Sequence, residues 1–279
     1  MKIVHTADWH LGHRLHEQSQ YEEQSRFLTW LHGHILEKNV DVLLLSGDVF
    51  DTASPSAQSL TLYYDFLIGL NGTCCQHIVI TGGNHDAPGT LNAPKELLQT
   101  LDIMVVGKAT DPIDQEVFQL NVGSESVLVA AVPYLRDQDI RRALAGETFT
   151  EIGERYKKAL LNHYQDISVV CEGKNPNKIP CIAMGHLFAN GGATSDSEQT
   201  IYVGNLGDIG ADDFPTSFDY IALGHLHRPQ IVGKKNHIRY SGSPYCLSFS
   251  EVGMQKKIIE IEISEDKISD IHELEIPAF

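Results

Sequence analysis

Five short polar clusters, each set just past an apolar, β-branched run, constrain this 279-residue chain more tightly than its bulk composition does. The clusters are Asp8-Trp9-His10, Gly47-Asp48, Gly83-Asn84-His85-Asp86, Gly185-His186 and Gly224-His225-Leu226-His227. The runs before them, Lys2–Thr6, Val42–Leu45, His77–Ile80, Ile182–Met184 and Tyr220–Leu223, read as short buried strands. Segments of helical period lie between several of these. Phe27, Leu28, Leu31 and Ile35 share one face and end at Asn39. A second helix is expected to open at Ser54-Pro55 and to carry Leu60, Tyr63, Tyr64 and Leu67, and a third to run through Ile152, Tyr156, Leu160 and Tyr164. Alternating strands and helices predict a layered α/β domain. In such sheets the carboxyl ends of the strands share an edge where ligands bind, so clusters far apart in sequence can meet there.

Val127–Val132 and Ile238–Tyr240 read as further strands. Ile258, Ile261 and Ile263, then Ile268, Ile271, Leu274 and Ile276, read as a closing pair joined by a polar turn around Ser264–Lys267. The most loop-like stretches are Glu172–Lys178 and then the Gly191-Gly192 region.

Asp, Asn and His are oxygen and nitrogen ligands suited to mid-row divalent metals, with no need of cysteine. A lone Asp-x-His is more often a surface turn, and Gly-Asp after a strand is a common one. Five such clusters in order, each behind a strand, are not explained that way. Glycine before four of the five lets the backbone turn sharply and brings side chains close. The net charge of −16 argues against a protein that grips DNA mainly by a basic surface. No apolar run approaches the ~20 residues that span a membrane, and Met1-Lys2-Ile3-Val4-His5 opens no signal peptide. Cys74, Cys75, Cys171, Cys181 and Cys246 show no ligand spacing and read as free thiols of a cytoplasmic protein.

The order D-x-H, GD, GNHD, GH, GHxH resembles the calcineurin-like metallophosphoesterase superfamily. His5-Thr6-Ala7-Asp8-Trp9-His10-Leu11-Gly12, Gly47-Asp48-Val49-Phe50-Asp51, Pro133-Tyr134-Leu135-Arg136, the words around Gly224-His225-Leu226-His227 and Gly242-Ser243-Pro244 are similar to its SbcD branch, bacterial DNA-repair nuclease subunits. The resemblance implies an α/β fold of four layers, an αββα sandwich. It also implies one cation on Asp8, His10 and His227, a second on Asn84, His186 and His225, and Asp48 bridging the two. A shared anion suits ions that lie ~3.5–4 Å apart in two-metal sites. The family cations would be two Mn²⁺, with Mg²⁺ a weaker substitute. His85 would protonate the leaving 3′ oxygen and Asp86 would orient His85.

The activity so implied is a 3′→5′ exonuclease on duplex DNA ends and an endonuclease on single strands or hairpins. The partners implied are an SbcC-type SMC-like ATPase and a second copy of the chain. Full family members continue into a capping domain and ATPase-binding helices, so residues 1–279 are expected to be the nuclease domain alone. The apolar helix from Leu60 to Leu70 could face a partner helix or be buried within one domain. The alternative activity is that of a phosphatase or small-molecule phosphodiesterase of the same superfamily. Phosphoprotein phosphatases usually carry GDxxDRG and GNHE, where this chain has Asp51-Thr52-Ala53 and Asp86. A non-catalytic scaffold would lack a ligand, and none is missing.

Several residues have plain readings beside the functional ones. His5 reads as a hydrogen-bonded core residue, and His13 and His16 as loop residues near the first cluster. His32, His34, His77, His163, His237 and His272 read as structural, and Tyr63-Tyr64 as helix packing. Arg136 and Arg228 stand beside expected site loops, where either could meet a phosphate. Asp51 departs from archaeal and eukaryotic relatives, which place histidine there.

Overall fold

The computed structural model describes residues 1–140, 147–189 and 209–279, so the Gly191-Gly192 region lies outside the described residues. Two six-stranded sheets face each other. The first runs in the order β14 (Lys267–Glu275), β13 (Lys257–Ser264), β1 (Lys2–Thr6), β4 (Val42–Ser46), β5 (His77–Thr81) and β6 (Ile103–Val106). The second runs β11 (Gln230–Val232), β12 (Lys235–Tyr240), β10 (Tyr220–Gly224), β9 (Cys181–His186), β8 (Glu125–Ala131) and β7 (Val117–Val122). A small hairpin, β2 (Arg14–Leu15) with β3 (Gln18–Ser19), follows the first cluster. The pairs β1·β4, β4·β5, β8·β9 and β9·β10 are parallel, so the ends of the cluster-bearing strands point the same way within each sheet.

Side-chain alternation sorts the core into three interlayers. Leu43 and Leu45 of β4 pack toward α1 (Tyr21–Lys38) and α2 (Ala57–Leu70), whereas Val42 and Leu44 pack between the sheets. In β10, Tyr220 and Ala222 face inward, while Ile221 and Leu223 pack toward α6 (Phe149–Lys174). The result is the expected αββα sandwich. The inward residues taper toward the carboxyl ends: Tyr220, Ala222, Gly224 in β10; Val127, Val129, Ala131 in β8; Val42, Leu44, Ser46 in β4. At the narrow end the sheets nearly touch, and the Ser46 hydroxyl donates across them to the Ala222 carbonyl at 3.0 Å.

Helix ends follow local chemistry. Asn39 takes the left-handed conformation (φ 52°) that closes α1 and donates to the Ile35 and Leu36 carbonyls. α6 begins with a capping box between Thr148 and Glu151. α2 starts later than the Ser54-Pro55 pattern predicts, because it is the Ser56 hydroxyl that accepts the Ser59 N–H, at 3.1 Å. The loop expected over Glu172–Lys178 is shorter, since α6 runs on to Lys174 and Asn175 closes the turn with two bonds to Ile179, 2.7 and 2.8 Å. Three short helices, α3 (Pro88–Asn92), α4 (Lys95–Gln99) and α5 (Asp137–Ile140), and β6 and β7 escaped the sequence reading. Among the described residues no helix is long and apolar enough to cross a membrane. α2 buries Tyr63, Phe66, Leu67 and Leu70 and half-buries Leu60 and Leu62, leaving Ile68 as its exposed large apolar residue at 62%.

Candidate metal centre

The chain leaves the carboxyl ends of β1, β4, β5, β9 and β10 at the narrow end of the sandwich. Four of the polar residues it presents there are held with positive φ: Asp8 (55°), His10 (42°), Asp48 (49°) and His225 (103°). Non-glycine residues in that region cost on the order of 1 kcal/mol or more each and collect at functional sites. Backbone bonds hold the turns in place: Asp8 N–H to Gly47 O at 3.1 Å, His10 N–H to Asp48 O at 3.0 Å and Leu11 N–H to Val49 O at 2.9 Å. Glycine is required at two neighbouring positions. A β-carbon on Gly83 would overlap the Asp48 carboxylate, and one on Gly47 (φ 80°) would overlap the His186 ring.

All seven residues read from the sequence as ligands come together, and all but Asn84 are buried. The candidate ligand atoms of Asp8, His10 and His227 lie within 4.8 Å of one another, as do those of Asp8, Asp48 and His186. Asp48 Oδ2 stands 3.5 Å from His10 Nε2 and 3.2 Å from His186 Nε2, between the two expected halves. The Asn84 side-chain oxygen is 3.0 Å from His186 Nε2 and 3.0 Å from His225 Nδ1. Asp8 accepts the His225 N–H at 2.9 Å, joining the first sheet to the second.

Charges at the cluster are set by burial and by one another. Burial, with His186 nearby, pushes His225 down to about 3, and burial likewise lowers His10 and His227. Burial also opposes a charge on His186, but the Asp48 and Asp8 carboxylates and the Ser46 carbonyl outweigh it and lift that ring to about 9. For Asp48, burial is outweighed by His186 and His10, which hold it well below the usual carboxylate range. The charges of Asp48 and His186 thus support each other, and a His186 ring acting as a metal ligand would have to give up its proton.

Of the two residues expected to act on protons, Asp86 is placed differently from the sequence reading. His85 is half-buried at the edge of the cluster; its N–H bonds Asp48 Oδ1 at 2.9 Å and its Nδ1 lies 2.8 Å from the Asp51 carbonyl. Asp86 does not orient that ring. Its carboxylate accepts three backbone N–H bonds, from Gly83 (2.8 Å), Phe50 (2.9 Å) and Val49 (3.1 Å), so it pins the β4 and β5 turns together. Burial and the neighbouring Asp48 push Asp86 up to about 6.

Other residues hold the histidines from behind. Asp51 Oδ1 lies 2.8 Å from His13 Nδ1 and 3.3 Å from His10 Nδ1, and the other His13 nitrogen bonds the Leu247 carbonyl at 3.0 Å. Sequence reasoning left Asp51 without a role; here its carboxylate faces the His10 ring nitrogen turned away from Asp48. It also missed Glu251 and Lys256. Glu251 Oε1 stands 3.6 Å from His227 Nδ1, while the Lys256 ammonium donates to Glu251 Oε2 at 2.6 Å, to Ser243 Oγ at 2.8 Å and to the His227 carbonyl at 3.3 Å. The Gly242-Ser243-Pro244 word was the only signal near them. His5 bonds the Tyr220 hydroxyl at 3.0 Å in the inter-sheet core. His16 lies exposed against Phe249. His34 and His272 flank Glu260, and His163 meets Glu116. Arg136 donates to the Asp86 carbonyl at 2.6 Å, and Arg228 is exposed at the rim.

The donor set fits a divalent cation. His10 Nε2 is fully buried without a hydrogen bond, facing carboxylate oxygen, and the donors are oxygen and imidazole nitrogen throughout. Comparison with known proteins agrees. The sequence profile described as calcineurin-like phosphoesterase matches residues 1–229. The chain is 37% identical over 278 residues to the SbcD subunit of nuclease SbcCD from Escherichia coli (strain K12), covering 99% of this chain and 68% of that one. It is 35% identical over 269 residues to the protein of the same name in Bacillus subtilis (strain 168), covering 94% and 66%. With the Rhodobacter capsulatus protein of that name it shares 34% over 273 residues, covering 95% and 67%. The chain thus spans about two thirds of these relatives' length, and it belongs to the calcineurin-like phosphoesterases, divalent-metal enzymes, in their SbcD family of nuclease subunits.

Proposed function

We propose that residues 1–279 form the nuclease unit of a cytoplasmic SbcCD-type complex, cutting DNA as a 3′→5′ exonuclease on duplex ends and an endonuclease on single strands and hairpins. The observation that carries this reading is the meeting of seven oxygen and nitrogen donors from five strand ends in a chain of the SbcD family. Asp8, His10 and His227 would hold one cation and Asn84, His186 and His225 the other, with Asp48 shared. The imidazole ligands favour Mn²⁺ over Mg²⁺, which prefers all-oxygen octahedra. Bound there, the cations supply Lewis-acid activation of water and neutralise charge on the phosphate oxygens.

The protein's own part is positioning and proton transfer. With Nδ1–H held by the Asp51 carbonyl, the protonated His85 ring can donate only from Nε2. It releases that proton to the leaving 3′ oxygen and returns to the tautomer the carbonyl already supports. Asp86 keeps the turn that carries Asn84 and His85 against the turn that carries Asp48. The partners proposed are an SbcC-type SMC-like ATPase and a second copy of the chain, for which Ile68 with Leu60 and Leu62 is the available part of α2. A monomeric mass by light scattering at tens of micromolar would sink the dimer.

The test is cleavage of labelled duplex, hairpin and single-stranded DNA, beside p-nitrophenyl phosphodiesters and monoesters, with Mn²⁺, Mg²⁺ or EDTA. DNA and diester cleavage with Mn²⁺ ahead of Mg²⁺ is expected. Rates indifferent to EDTA would refute the two-metal reading, and activity confined to monoesters would replace the nuclease reading by the phosphatase one.

A further inference from the structure

On the His85 side the centre opens into a cleft of about 460 Å³, with Asn84 and His85 among its lining and Lys108 and Arg136 on its walls. In a chain of net charge −16, two cationic side chains on the cleft that borders the site stand against the overall trend. Arg136 is anchored, because its guanidinium donates at 2.6 Å to the carbonyl of Asp86, next to His85. Lys108 is exposed, just past β6. Asp139 lines the same cleft and opposes the two cations.

His85 gives the cleft a direction. Its Nδ1 is held at 2.8 Å by the Asp51 carbonyl, so the proton for the leaving oxygen comes from Nε2 and the leaving oxygen must approach the exposed side of that ring. The leaving 3′ oxygen belongs to the nucleotide on the 5′ side of the cut, so that nucleotide and its own 5′ phosphate extend into the cleft His85 lines. We propose that Lys108 and Arg136 form a subsite for the phosphate one nucleotide 5′ of the scissile bond, which makes a strand a better substrate than an isolated diester. This rests on the assignment of the centre as a phosphodiesterase with His85 as its acid.

The experiment compares two thymidine dinucleotides, one with and one without a 5′ phosphate on the leaving nucleoside. Wild type should cleave the phosphorylated one with the higher kcat/KM, by about tenfold, the size of one charge-assisted hydrogen bond. Lys108→Gln and Arg136→Gln should lower that ratio toward one, and Asp139→Asn should raise it. Loss of either cation should also weaken the salt dependence of kcat/KM for the phosphorylated substrate. Lys108 is exposed, so its substitution leaves the fold intact and its ratio decides. A wild-type ratio near one, or a Lys108→Gln variant with the wild-type ratio, overturns the subsite and leaves the phosphodiesterase reading standing. Failure of wild type to cut labelled DNA, nitrophenyl diesters and either dinucleotide with Mn²⁺ would instead remove that reading.

Discussion

Removing the ammonium of Lys256 should damage both the fold and the metal centre, and the two effects can be separated. Lys256 and Glu251 are buried, with side chains 7% and 0% exposed and 2.6 Å between charges. Burial would raise Glu251, but His227 and Lys256 outweigh it and keep the carboxylate ionised. Lys256→Met leaves that anion buried with the Leu247 N–H, at 3.1 Å, and the serine hydroxyls as partial compensation. Breaking one side of a buried pair costs about 3–5 kcal/mol, whereas removing both charges is often close to neutral. Glu251→Gln alone should cost a similar amount by stranding the ammonium. The double variant should cost less than the sum by about 2 kcal/mol or more, read as a coupling energy from urea unfolding in EDTA. Metal affinity should not recover in the double variant. His227 loses the negative charge beside its Nδ1 and the donor to its carbonyl together, and loss of such outer partners typically weakens a metal by about 10–100-fold. Manganese titration by calorimetry reads this independently of turnover. Additive single costs, each below about 1 kcal/mol, would refute the buried-pair reasoning. Full metal affinity in the double variant would refute the positioning role.

Three further outcomes are expected. His85→Ala should keep metal content near wild type by mass spectrometry while DNA cleavage falls by ~10²–10⁴-fold; a nitrophenyl diester, whose leaving group needs no proton, should suffer far less, and equal losses on both would reassign the acid. Asp48→Ala removes the carboxylate between His10 and His186, so both cations and all activity should be lost, and one retained cation would show that Asp48 is not shared. His5 is pushed down to about 3 by burial, so the fold holds it neutral; the stability this gives is complete above pH 6.5 and is lost as pH falls from there toward 3. At pH 5 the loss is about 2 kcal/mol relative to pH 7, and urea midpoints of His5→Asn should lack that part of the acid slope.

The centre was legible because its ligands follow their strands within a few residues, with glycines where the backbone crowds. Asp48 follows Gly47 and His186 follows Gly185, so strand prediction placed each at the carboxyl end of its own strand, and the facing of two sheets is what brings those ends together. What holds the ligands was not legible. Asp86 bonds backbone N–H groups of another turn, and Lys256 reaches His227 from 29 residues along the chain, contacts that leave no spacing pattern. β7 was missed because it is an edge strand whose buried residues, Val117 and Leu120, stand three apart and break the alternation that marks a strand. The α2 start was misread because Ser54 and Ser56 are equivalent as sequence and only hydroxyl reach decides between them.

The taper of the inward-facing residues has a mechanical consequence. Among the described residues no backbone ladder joins the two sheets; packed side chains keep them apart, and at the narrow end the small residues Ser46, Ala131, Ala222 and Gly224 let them come closest. Side-chain volume therefore works as a gauge block, setting how far Asp8, Asp48 and Asn84 on one sheet stand from His186, His225 and His227 on the other. A pair of cations held from both sides would close that opening like a clasp and resist sliding of one sheet over the other. A methyl-sized shim at Ala222, buried and without any chemistry of its own, would retune the spacing of the whole centre, so the inner core is part of the site's tolerance.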